Sequence, residues 1–132
     1  GNQQVFTAIN WTNDLISSND WVIDNNGTGS GNTGPTANGG ADHNPGASGG
    51  KYLYFETSSP CNVAGQTAAI VSDEIYTTGT EPNLFFEFWY HQFGADIADI
   101  VVNTRIVTAG VAGLWVQLDS LYTAPPGLDA WQ

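Results

Sequence analysis

The sequence predicts an all-β fold, arranged as a two-sheet antiparallel sandwich or jelly roll, and three observations carry that prediction. Apolar and polar residues alternate with a period of two in several short runs. Those runs are separated by Gly, Pro, Asn and Asp clusters that supply turns. No segment holds a sustained helical period with caps at its ends. Many short, turn-punctuated strands without helices make sandwich or barrel architectures.

Along the chain, QVFTAINW opens with a short strand, and DLISSNDWVIDNN mixes turn formers with two apolar anchors, Trp21 and Ile23. Residues 27–50 are almost free of apolar side chains and read as one long Gly/Asn-rich loop. A loop of that length inside a compact domain is uncommon, and is functional, metal-ordered or mobile. KYLYFET and QTAAIVSDEIY follow as β-rich runs, then NLFFEFWYHQ, where the alternation is strongest. There Leu84, Phe86, Phe88 and Tyr90 share one face, while Phe85, Glu87, Trp89 and His91 share the other. This predicts a central strand with Phe86, Phe88 and Tyr90 turned to the core. DIVVNTRIV and GLWVQLDSLY complete the set, bounded by Gly94, Gly110, Gly113 and Pro125-Pro126.

A chain of 132 residues fits one domain, taken here as residues 1–132, and can bury a core without staples. Thirteen Asp and Glu face one Lys (Lys51) and one Arg (Arg105), for a formal net charge of -11. Binding to a phosphate backbone needs cations that this chain lacks, so nucleic acid is excluded as a partner, as are anionic membranes. The longest apolar stretches are strand-sized, which argues against membrane insertion. The opening GNQQVF reads as a mature or trimmed N-terminus. The single cysteine, Cys61, has no intramolecular partner and reads as a small, partly buried hydrophobe.

One ordered set of residues is more specific than composition. Phe6, Trp21, TGPTANGGADH (Thr33 to His43), GGKYLYFE (Gly49 to Glu56), FEFWYHQFG (Phe86 to Gly94), GLW (Gly113 to Trp115) and Trp131 together resemble a MAM domain along nearly the whole chain. The resemblance implies a jelly-roll-like sandwich found in extracellular parts of receptors, adhesion phosphatases and metalloproteases, and in secreted bacterial proteins. It implies adhesion, recognition or assembly as part of a larger secreted or cell-surface protein, without catalysis. Two departures stand out. The paired cysteines of animal members are missing, which points to a bacterial type. The family also continues past the tryptophan matched by Trp131, so a protein partner, or a remaining segment of the same protein, is expected to supply closing strands. Without them Leu128 and Trp131 would sit on a fraying tail.

Candidate chemistry is sparse. Asp42 and His43 lie in the long loop, where Asp42 either caps a turn or holds a structural Ca²⁺ with carbonyls from Gly40, Asn44 or Gly49. The resemblance supports Ca²⁺, because cations are known at this end of such jelly rolls. His43 and His91 lack a third zinc ligand and read as packing histidines. Glu56 and Glu87 are mid-strand carboxylates that a jelly-roll glycosidase would pair, but Glu87 is expected to meet solvent or Arg105. Trp11, Trp89 and Trp115 can serve the core or stack on sugars, Trp89 being the candidate for an exposed platform. The alternative function is therefore a carbohydrate-binding module, or part of a polysaccharide-active enzyme, with glycans as partners.

Overall fold

The computed structural model describes residues 5–6, 11–25, 34–35, 42–43, 50–57, 59–60, 63–75, 79–80 and 85–132. Every regular element among them is a β-strand, and every strand pair is antiparallel. This is the all-β, antiparallel class that the alternation predicts, with several small sheets among the described residues where two were expected, and it is consistent with a β-sandwich. The described pairings do not trace a jelly-roll strand order.

Strands β1 (Val5–Phe6), β2 (Trp11–Asn13) and β5 (Ile70–Ser72) form a three-stranded sheet in the order β1-β2-β5. Its register sets Asn13 opposite Ile70 and Trp11 opposite Ser72. Asn13 is 4% exposed, and it braces this sheet to the next segment through two backbone bonds. Its Nδ2 donates to the Trp21 carbonyl at 2.9 Å, and its Oδ1 accepts from the Trp21 N–H at 2.9 Å. A side-chain amide offers one donor and one acceptor side by side, so it can replace a strand partner for a single residue. Trp21 is thereby held with its Nε1 donating to the Ala68 carbonyl at 3.0 Å and its ring 5.9 Å from Phe55. Both apolar anchors named from the DLISSNDWVIDNN segment lie here, but Ile23 is 46% exposed.

Strands β3 (Val22–Asp24) and β4 (Tyr52–Tyr54) pair with Ile23 opposite Leu53. Further along, β7 (Ile100–Thr104) pairs with β10 (Val116–Leu121), with a bulge where Leu118 interrupts the register between Gln117 and Asp119. Between them β8 (Val107–Thr108) and β9 (Val111–Ala112) close a hairpin. Its two turn residues, Ala109 and Gly110, have φ of 50° and 78°. Positive φ at both central positions is what a two-residue hairpin turn of matching twist requires. The ribbon is sparsely covered, since Val116, Leu118 and Val101 are all exposed.

The strongest sequence signal is realised differently from the prediction. Only Gln92–Phe93 (β6) of the NLFFEFWYHQF run is a strand among the described residues, and Phe85 to His91 lie outside any ladder. Phe86 and Phe88 are 56% and 38% exposed, so they do not form a central-strand core face. Burial grades along the run, from Phe85 at its exposed end to Gln92, 5% exposed. The reason is the location of the neighbour. The segment Gly127–Gln132 covers only its C-terminal half, through β11 (Gly127–Leu128) against β6 and a reciprocal backbone pair between Tyr90 and Gln132 at 3.1 and 2.9 Å. The tail expected to fray is thus paired with Tyr90–Phe93, and its Trp131 is half-buried.

Candidate functional site

Side chains that alternate along a chain segment diverge to opposite faces, and here both faces of the 85–93 segment carry aromatic rows. On one, Phe86, Phe88 and Tyr90 follow one another at centroid spacings of 5.3 and 6.2 Å, and Trp11 extends the row 5.9 Å from Phe86. On the other, Trp89, His91 and Phe93 meet residues brought from far away. His43 stacks on Trp89 at 3.7 Å with an interplanar angle of 11°. Trp131 packs edge-on against His43, Tyr52 and His91, at 6.3, 6.0 and 5.8 Å. Such edge-to-face and offset contacts contribute about 0.5–1.5 kcal/mol each beyond burial.

His91 is held from the tail. Its Nε2 lies 3.1 Å from Asp129 Oδ1, and because a carboxylate only accepts, that nitrogen is the donor. The two histidines considered as a zinc pair therefore enter one aromatic cluster with Trp131 between them. Among the described residues no group of three His, Cys, Asp or Glu is placed to hold a metal.

Asp42 is 8% exposed and is engaged in an interaction within the chain. Its carboxylate lies directly over Gly50, where an added Cβ would come within 2.0 Å of Oδ1. Only a glycine lets the carboxylate rest there. A hard-oxygen donor seated against backbone fits Ca²⁺ in kind. The carbonyl donors named with it, from Gly40, Asn44 and Gly49, lie outside the described residues, as does Cys61.

The two carboxylates expected mid-strand, Glu56 and Glu87, lie outside the strands and have different surroundings. Glu56 accepts a hydrogen bond from the Tyr54 hydroxyl, whereas Glu87 is exposed. Arg105 does not meet Glu87; its guanidinium sits 4.5 Å from the Trp115 ring centroid, a cation–π contact that occupies one of the three tryptophans considered as sugar platforms. Trp11 packs on Phe86, and Trp89 remains 57% exposed despite the His43 stack.

Beside the exposed half of the run lies an open groove of about 390 Å³, lined by Phe86, Glu87, Phe88, Trp89, Tyr90, Leu121 and Gln132. Sequence reasoning named Trp89 and Glu87 in it but missed Leu121 and Gln132, as it missed Asp129 beside His91. No local signal marks these three, since they reach the segment from 29 to 42 residues away.

The fold defines a class: an antiparallel, all-strand module with exposed aromatic residues along 85–89. The MAM domain family, meprin/A5/mu, matches residues 6–122, and the chain belongs to that family. No solved structure matches the chain. MAM domains are typically extracellular adhesion-type modules, are generally non-catalytic, and occur in extracellular or surface proteins. No helix among the described residues is long and apolar enough to cross a membrane.

Proposed function

We propose that this chain is a non-catalytic adhesion or recognition module of a larger secreted or cell-surface protein, and that the Phe85–Trp89 strip is its contact surface. The observation that carries this reading is the exposure of Phe86 (56%) and Trp89 (57%), which line one groove, with Phe85 (85%) exposed next to Phe86 in the chain. Clustered exposed aromatics mark interaction sites, whereas singly scattered ones do not. The separate surroundings of Glu56 and Glu87 support the non-catalytic part of the reading.

A second reading, a carbohydrate-binding module, is favoured by one observation, the indole of Trp89, which stays 57% exposed with His43 stacked on it. Ca²⁺ bound at Asp42 belongs to the same extracellular reading, with the buried carboxylate over Gly50 as its support.

Beads coated with the domain test these readings together. Retention on protein-coated surfaces, lost in Phe86→Ser, is the expected result. Retention on polysaccharide alone, lost in Trp89→Ala, would transfer the assignment to the carbohydrate reading. Release of sugar products, abolished by Glu56→Gln or Glu87→Gln, would overturn the non-catalytic assignment.

A further inference from the structure

The recognition strip has a chemistry that selects its partner. Phe85 to Trp89 lie outside any ladder, and the described backbone bonds on this run begin only at Tyr90. Unpaired backbone along a segment whose side chains alternate between two faces is a template for an added strand. A strand laid beside it would present alternate side chains to the two faces that the run already separates. On the Phe86, Phe88 and Tyr90 face it meets the aromatic row. On the opposite face it meets the exposed Glu87 carboxylate and the exposed Trp89 indole. An exposed carboxylate two residues from a partly exposed indole offers a cation charge pairing and a cation–π contact.

The charge of the whole chain bears on the same choice. With thirteen acidic and two basic residues, a second copy would bring a further charge of -11 to this edge. Like charges at a shared edge oppose pairing, while a basic partner is drawn to it. We infer that Phe85–Trp89 is a docking edge for an extended cationic polypeptide, in which apolar residues alternate with Lys or Arg. The apolar side chains lie along the Phe86–Phe88–Tyr90 row, and the cations lie against Glu87 and Trp89, which line the same groove. This inference rests on the recognition reading above and adds the class of partner.

The test uses synthetic peptides of alternating Val and Lys, with alternating Val and Glu as the control, titrated against the full chain by tryptophan fluorescence. The Val/Lys peptide is expected to bind, with an affinity that falls as salt rises. Glu87→Lys, at an exposed position that leaves the melting temperature unchanged, should weaken that binding about tenfold and improve binding of the Val/Glu peptide. Equal affinity for the two peptides, or indifference to Glu87→Lys, would overturn the cationic assignment while leaving the protein-recognition reading in place. A dimer in light scattering that Phe88→Lys dissolves would overturn it in favour of a second copy of the chain. Failure of any peptide to bind, with bead adhesion retained, would overturn strand addition itself.

Discussion

Replacing Asn13 by Ala removes a brace that no other side chain can supply. The substitution leaves both the N–H and the carbonyl of Trp21 without their 2.9 Å partners. A stranded polar group costs about 1–3 kcal/mol when it stays dry. Two are stranded here, and Asn13 itself is 4% exposed, although the bonds to Trp21 are only part-buried. Water will therefore reach some of the vacated space, and the loss should fall in the lower part of the combined range, at about 2–4 kcal/mol. For a chain of this size that is roughly 3–5 °C in melting temperature per kcal/mol. Asn13→Asp is the sharper variant. It keeps the acceptor for the Trp21 N–H but turns a carboxylate oxygen toward the Trp21 carbonyl, so it should destabilise at least as much as Ala despite its matching shape. Chemical denaturation followed by tryptophan fluorescence gives both values. A loss below about 0.5 kcal/mol in Asn13→Ala, or an Asp variant as stable as the parent, would refute the bracing argument.

Gly127 has φ of 74°, and a Cβ there would lie 2.1 Å from the Gln92 carbonyl oxygen and 2.8 Å from Ile97 Cδ1. Gly127→Ala should therefore detach the tail, read as faster hydrogen exchange at the Tyr90 and Gln132 amides together with loss of the His91–Asp129 contact, while exchange in the β2–β5 pair stays unchanged. Ala109, in the hairpin turn, has a positive φ without being glycine, so Ala109→Asn should stabilise by about 0.5–1 kcal/mol in thermal melts. Phe86→Ala should cost about 1–2 kcal/mol, from its ring contacts, where a fully buried Phe costs about 3–5; a loss in the higher range would restore Phe86 to the core. Calcium at a hundredfold excess over its dissociation constant should stabilise the fold by about 2.7 kcal/mol, and Asp42→Asn should abolish the shift; identical melts in EDTA and Ca²⁺ would leave Asp42 a turn-capping residue.

The sequence by itself determined the all-β class, the period-two division of residues 85–93 into two faces, and membership of the family. Each depends on local sterics or on an ordered series of residues, and these are written in adjacent positions. The same alternation could not decide which portion of that run is buried. Burial needs a neighbouring segment, and the neighbour is Gly127–Gln132, which contacts Tyr90–Phe93 and leaves Phe85–Trp89 uncovered. The order of residues in APPGLDAWQ does not show its contacts, whereas in the fold Asp129 meets His91 and Trp131 joins His43, Tyr52 and His91. Likewise Arg105 was legible as a rare cation, but its place over Trp115 instead of beside Glu87 depends on a hairpin register with an irregularity between the two strand pairs. Tertiary structure decided these points because side chains distant in sequence compete for the same surface, and the outcome depends on distances that residue order does not specify.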